Sequence, residues 1–189
     1  MADRLAAADI AFLTANEGVE QVELTGPWQA GADEGGRPVL VAPEPGEVQA
    51  FNHRDRADRF PVDVTVGDAD PQQFTALVLP GGVVNPDRLR MDEQAVAFVR
   101  AFFDAGKPVA AICHAPWTLI EAGVVRDRHV TSWPSLRTDL GNAGARWDDN
   151  EVVVDTDGPN VLVTSRKPDD LPAFERELVG AFAGQRVPR

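Results

Sequence analysis

The chain has 189 residues, a length that predicts one domain able to bury a core without staples. Acidic residues outnumber basic ones by 30 to 18, and the resulting net charge of −12 argues against a nucleic-acid partner. A single cysteine excludes an internal disulfide, and no apolar run reaches the roughly 20 residues of a membrane helix. Composition therefore predicts a cytoplasmic protein without a membrane span.

The first third of the chain predicts two strands and a helix. Residues 10–13 form a short apolar run, and Asn16 is predicted to cap a helix whose start carries Glu17 and Glu20. Residues 38–42 are apolar and bounded by glycine and proline, which predicts the second strand.

The middle of the chain changes pattern. Charges of alternating sign over residues 53–59 predict a solvated loop, and the period-two alternation of residues 62–66 predicts a half-exposed strand or hairpin. Residues 76–79 are continuously apolar and end at Pro80-Gly81-Gly82, which is typical of a central parallel strand.

The remaining elements repeat the strand-helix alternation. Asp92 is predicted to cap a helix, residues 108–112 to form a buried strand, and Asp169 or Asp170 to cap a final amphipathic helix. Strands that alternate with helices predict a parallel sheet covered on both faces, with ligands bound at the carboxyl ends of the strands.

Cys113 stands where a buried strand meets a helix. A nucleophile on such a sharp turn needs small neighbours, and Ala111 and Ala115 meet that need. The helix N-terminus is expected to lower the pKa of the thiol, and His114 is the adjacent base. Two alternatives stay open: an inert buried thiol, and a His114 whose backbone N–H matters more than its ring.

Glycines and glutamates complete the candidate site. Gly81 and Gly82, with the N–H of His114, form a predicted oxyanion hole, although a tight turn alone would explain the two glycines. Glu20 and Glu23 are spaced to share one helical face, and a buried carboxyl there would donate a hydrogen bond to sulfur. A solvated helix face is the alternative, and the spacing leaves open which glutamate contacts Cys113.

Neither a metal nor a cofactor is predicted. The three histidines and one cysteine lack the spacing of metal ligands, and the sequence contains no Walker or GxGxxG phosphate loop.

The chain resembles the PfpI family of intracellular cysteine proteases and general stress proteins, within the class I glutamine amidotransferase-like superfamily. The resemblance covers about residues 10–182. Its segments are FLTANE at 12–17, EQVEL at 20–24, LVLPGG at 77–82, GKPVAAICH at 106–114, TSWP at 131–134, NAG at 142–144 and SRKPDDL at 165–171.

The resemblance implies a flavodoxin-like three-layer α/β sandwich with a nucleophile elbow. It implies Cys113 as nucleophile with His114 beside it, Glu23 bonded to the cysteine and Glu20 one turn earlier. Gly82 and the His114 amide match the family oxyanion hole.

Other implied features depend on a second copy of the chain or depart from the family pattern. Glu93 matches a glutamate that a neighbouring subunit contributes, which implies a homo-oligomer, either a dimer or a hexamer. Trp133 stands where relatives often carry tyrosine near the pocket, Ala115 replaces a frequent glycine, and Gly18-Val19 is an insertion before Glu20.

The function implied is a stress-response cysteine hydrolase acting on a small-molecule or protein substrate. The family activities are peptidase, amidase and deglycase, the last removing glyoxal-type adducts. The alternative is a redox sensor or chaperone in which Cys113 is oxidised without turnover. One PfpI-like domain is predicted over residues 1–189, with residues 184–189 as a frayed tail.

Overall fold

A computed structural model describes residues 3–184, and its strands match most of the predicted apolar runs. The strands are β1 (Asp9–Leu13), β2 (Glu17–Glu20), β3 (Arg37–Ala42), β4 (Glu47–Asn52), β5 (Asp55–Pro61), β6 (Val64–Thr65), β7 (Ala76–Leu79), β8 (Val109–Ile112), β9 (His129–Val130), β10 (Arg146–Trp147), β11 (Val152–Asp155) and β12 (Leu162–Ser165).

Six α-helices are described in residues 3–184, four of them between β7 and β10. They are α1 (Gln21–Asp33), α2 (Val84–Leu89), α3 (Glu93–Asp104), α4 (Pro116–Glu121), α5 (Arg137–Asn142) and α6 (Leu171–Ala183). Asp92 caps α3 as predicted, because its side chain accepts a hydrogen bond from the N–H of Ala95 at 2.9 Å. None of the described helices is long and apolar enough to cross a membrane.

The central sheet has seven strands in the order β11-β12-β8-β7-β1-β3-β6. Every pair in it is parallel except β11 with β12. Apolar side chains alternate between two buried cores, one against α3 and α4 and the other against α1 and α6. Both faces of the sheet are therefore covered, which confirms the mainly parallel three-layer α/β prediction.

The segment after β1 differs from its prediction. Glu17–Glu20 is strand β2, paired with β4, and α1 begins only at Gln21. Asn16 caps no helix; its side-chain amide instead exchanges hydrogen bonds with the backbone of Glu44. The inserted Gly18 adopts φ +98° and produces an irregularity in the β2 register, so the extra length is absorbed as a bulge.

The charged run at residues 53–59 is also not a loop. It supplies the turn and most of β5, which pairs antiparallel with β4. The predicted strand at 62–66 shrinks to the two residues of β6, which pairs parallel to β3 at the sheet edge. Pairing with β4 outweighs the low strand propensity of the charged residues.

The last helix begins as predicted but without the predicted cap. Asp170 occupies the N-cap position, yet its carboxylate binds Arg166 at 2.8 Å rather than an amide of α6. Within the predicted frayed tail, Gly184 follows the end of α6, and residues 185–189 lie outside the described part of the chain.

Candidate active site

Cys113 lies on a strained turn between β8 and α4. Its φ of +63° falls in the left-handed region, which costs a non-glycine residue of order 1 kcal/mol or more. Neighbouring backbone holds the turn, because the Cys113 N–H donates to Ser165 O at 3.0 Å and its carbonyl accepts from the Trp133 N–H at 2.9 Å. The structure thus contains the sharp strand-to-helix turn that the sequence predicts.

His114 contacts the thiol directly. Cys113 Sγ and His114 Nδ1 are 3.2 Å apart, so the imidazole ring reaches the sulfur in addition to the backbone N–H of His114. The ring contacts two indoles: it is stacked on Trp133 at a centroid distance of 5.7 Å and tilted against Trp117 at 5.3 Å. These contacts fix the orientation of the imidazole relative to sulfur.

Glu23, and not Glu20, lies against the thiol. Glu23 is completely buried, and neither of its carboxyl oxygens makes a hydrogen bond of ordinary geometry. Burial raises its pKa to about 8, while interactions with Cys113, Gly81 and Gly82 act in the opposite direction. Glu20 instead occupies the N-cap position of α1 and accepts a hydrogen bond from the His53 N–H at 3.0 Å.

The charge state of the site differs from the sequence expectation. Burial, followed by the nearby Glu23 carboxyl, raises the pKa of the Cys113 thiol, although the amides of Gly82 and His114 act to lower it. Burial also lowers the pKa of His114 to about 4. At neutral pH the thiol and Glu23 therefore carry their protons and His114 is neutral. The expected helix effect on the thiol is outweighed by desolvation.

The end of β7 supplies close backbone contacts. Gly82 has φ +84°, and a Cβ there would lie 2.3 Å from Gly18 O. The Gly82 and His114 amides both stabilise charge on the Cys113 sulfur. Both amides therefore lie beside the nucleophile, and their predicted role as an oxyanion hole stays a prediction.

A cavity of about 540 Å³ opens above the thiol. The residues lining it are Glu17, Gly18, Glu20, Glu23, Phe51, His53, Arg54, Gly82, Val83, Val84, Cys113, His114, Trp133 and Pro168. Sequence reasoning missed the contribution of the β4–β5 hairpin and of Pro168. No local pattern marks these residues, because only the pairing of β4 with β2 brings the hairpin to the site.

Two predicted site residues lie outside the cavity lining. Gly81 lies beneath the cavity, where a Cβ would approach Glu23 Oε2 to 2.3 Å. Glu93 is exposed in the first turn of α3, so its predicted role in orienting the histidine of another subunit stays a prediction. Within residues 3–184, no group of three or more histidine, cysteine or acidic side chains could hold a metal ion.

Comparison with known proteins identifies the family of this chain. A profile of the DJ-1/PfpI family matches residues 8–181. The chain belongs to the DJ-1/PfpI family. A DJ-1/PfpI relative from Pyrococcus horikoshii, named Deglycase PH1704, is 44% identical over 90% of this chain and 96% of its own length.

One further relative and one solved structure support the family and the fold. General stress protein 18 of Bacillus subtilis is 41% identical over 84% of this chain and 88% of its own length. The crystal structure of Drosophila melanogaster DJ-1beta superposes with a TM-score of 0.82 at 26% identity, covering 94% of this chain and 91% of that one. The flavodoxin-like DJ-1/PfpI fold is thereby confirmed.

The variant Glu23→Gln tests whether the buried Glu23 carboxyl is protonated, through the pH dependence of the free energy of unfolding. The pKa of Glu23 is raised from 4.5 to about 8 in the folded chain, so its stabilising contribution is complete below pH 4.5 and is lost as the pH rises through 8. Glutamine cannot ionise. We therefore expect the stability of the variant relative to the natural chain to grow by about 1.4 kcal/mol per pH unit across that window.

Urea unfolding between pH 4 and pH 9 measures this difference. Glu20→Gln is the matched control, because it removes a carboxyl from the same end of α1 and leaves Glu23 in place. The charge of Glu20 contributes less than burial to the raised pKa of Glu23, so the difference between this variant and the natural chain should vary much less with pH. A Glu23→Gln difference that stays constant with pH would show that the buried carboxyl is already ionised.

Proposed function

We propose that this chain is a cysteine-dependent hydrolase that removes glyoxal-type adducts from amines or thiols. The observation that carries the proposal is the contact of Cys113 Sγ with His114 Nδ1 at 3.2 Å on a strained turn, beneath an open cavity. A relative named Deglycase PH1704 supports a deglycase reaction. Peptidase and amidase activities would begin with the same addition to a carbonyl.

The neutral site suggests how the proton moves. As Sγ bonds to the substrate carbon, neutral His114 accepts the thiol proton at Nδ1, and the carbonyl electrons move to oxygen. The amides of Gly82 and His114 stabilise the resulting oxyanion. The C–N or C–S bond of the adduct then breaks, and His114 passes its proton to the leaving amine or thiol. One water attacks the carbon held by Sγ: its hydroxyl stays on that carbon, the Sγ–C bond breaks, and its proton restores the Cys113 thiol.

Glu23 assists the reaction of Cys113 because its carboxyl group is neutral. A protonated carboxyl can donate to sulfur, whereas an ionised one would raise the thiol pKa further. Its complete burial keeps that proton in place at neutral pH.

The redox-sensor alternative receives less support. Selective oxidation requires an exposed thiol of low pKa, but Cys113 is only 7% exposed and its pKa is raised by burial.

We also propose a cytoplasmic location and a homo-oligomer, either a dimer or a hexamer. A reducing compartment suits a chain whose one thiol is needed free. Val83, Val84 and Met91 are exposed on the segment that leads to Glu93, and a second copy would cover them. Such contact would also bring Glu93 toward another site.

The deglycase proposal is tested by the rate at which a glyoxal adduct of N-acetylcysteine disappears in excess aminoguanidine, which captures free glyoxal. Under these conditions, an enzyme that only consumes free glyoxal cannot exceed the spontaneous dissociation rate of the adduct. We expect the chain to accelerate adduct loss at least about tenfold, as general acid–base catalysis supplies more than that. A rate equal to that of aminoguanidine alone would overturn the proposal.

A further inference from the structure

The tip of the β4–β5 hairpin covers one side of the cavity. His53 and Arg54 form the turn between the two strands, and both line the cavity together with Phe51. The backbone N–H of His53 donates to Glu20 Oε2 at 3.0 Å, which ties the turn to the start of α1. The hairpin therefore holds Arg54 at the cavity mouth by a fixed backbone contact.

Arg54 stands out in the charge balance of the cavity. Glu17 is paired with Arg88 at 3.4 Å, Glu20 accepts from backbone, and buried Glu23 keeps its proton at neutral pH. Arg54 is the one lysine or arginine that lines the cavity, and no carboxylate of residues 3–184 lies within ion-pair distance of it. Its guanidinium is thus free to bind a ligand.

The unpaired guanidinium of Arg54 matters for ligand binding because the protein as a whole is strongly acidic. With a net charge of −12, the chain repels anionic molecules unless a local cation offsets the field. A guanidinium also presents several N–H donors in the plane that carboxylates and phosphates recognise.

We propose that Arg54 forms a subsite for an anionic group, a carboxylate or a phosphate, on the substrate whose reacting carbon lies at Cys113. The choice of substrate rests on the proposed function, whereas binding of the anion at the cavity mouth does not. Adducts of small anionic amines or thiols would then be preferred over their neutral counterparts.

Alkylation of Cys113 tests the subsite without turnover. Iodoacetate and iodoacetamide perform the same reaction, in which the Sγ–C bond forms, iodide leaves and the thiol proton passes to solvent, but only iodoacetate carries a negative charge. The ratio of their rate constants cancels any change in thiol reactivity. We expect Arg54→Ala to lower the iodoacetate-to-iodoacetamide ratio about two- to fivefold, the range for an exposed ion pair. Arg54→Glu should lower it by about the square of that factor.

Arg146→Ala is the matched control. Arg146 is exposed on β10, forms no ion pair within the described residues and does not line the cavity, so its loss changes the net charge equally. Its ratio should equal that of the natural chain. An unchanged ratio in Arg54→Ala, or an equal fall in Arg146→Ala, would overturn the subsite.

Matched adducts identify the anion. The first pair comprises glyoxal adducts of N-acetylcysteine and its amide, and the second comprises those of guanosine monophosphate and guanosine. We expect Arg54→Ala to lower kcat/KM about two- to fivefold on the charged member of one pair. The pair that responds shows whether the anion is a carboxylate or a phosphate. If the adducts are turned over but Arg54→Ala changes kcat/KM for neither charged adduct, the proposal is overturned. No turnover of any adduct contradicts only the deglycase function, while the alkylation ratio still decides the subsite.

Discussion

Cys113→Ala is expected to lower kcat/KM for adduct removal by at least about 10³-fold while leaving the fold intact. The thiol is the only cysteine of the chain, so no second sulfur can replace it. Alanine fits the space of the buried side chain and keeps the amides of Gly82 and His114 in place. The loss should therefore fall on the chemical step, and the measurement is single-turnover kinetics with the variant in excess over the adduct and its concentration varied up to saturation.

A second measurement on the natural chain separates the nucleophile from its surroundings. Activity should fall in proportion to the fraction of Cys113 alkylated by iodoacetamide, because one modified sulfur inactivates one site. Circular dichroism and thermal unfolding control for folding of the variant. A Cys113→Ala protein that kept more than about a tenth of the natural activity would show that another group attacks the substrate.

The local sequence around β7 and β8 was sufficient to predict that Gly81-Gly82 and Cys113-His114 lie at the same edge of the sheet. Each strand is a short apolar run that ends abruptly, one at Gly81-Gly82 and the other at Cys113-His114. Parallel pairing of β7 with β8 brings both ends to the same edge of the sheet. Prediction worked here because the signals were local and the topology of a parallel sheet is restricted.

The error at the start of α1 involves a contact between distant parts of the chain. Asn16 and Glu17 look like a helix start, but pairing with β4 makes Glu17–Glu20 a strand. The charged run of β5 looks like a loop until β4 is placed beside it. Glu17 pairs with Gln49, so no short window of sequence contains both strands of that pair. β4 and β5 are neighbours in the chain, but the charges of β5 conceal its strand pattern, so neither the hairpin nor Arg54 at the cavity mouth was predicted.

The thiol pKa illustrates a different limit. Position beside a helix can be predicted from sequence, and it favours a thiolate. Burial depends on everything that packs around Cys113, including Glu23 from α1, and it acts in the opposite direction with larger effect. The sign of such a shift therefore needs the tertiary structure.

Gly81→Ala is expected to damage both stability and activity. The new Cβ would lie 2.3 Å from Glu23 Oε2, 2.5 Å from Cys113 Cβ and 2.8 Å from Ile112 O. Two of these atoms belong to the rigid turn after β8 and cannot move without displacing the nucleophile. Overpacking of this kind costs about 3 kcal/mol, and a displaced Sγ should reduce kcat by about 10²-fold. Urea unfolding and kinetics of the same preparation measure both.

Gly180→Ala is the matched control, since the same methyl group is added where it meets nothing. Gly180 lies in α6, and a Cβ added to it would have no neighbouring atom within 4 Å beyond the helix's own backbone. Alanine is the better helix former, so this variant should gain about 0.5–1 kcal/mol with unchanged activity. Opposite signs for the two glycines would tie the loss at Gly81 to crowding of Glu23 and Cys113. Equal effects, or a stable and fully active Gly81→Ala, would mean that the nucleophile turn yields easily and that its close packing is not needed for catalysis.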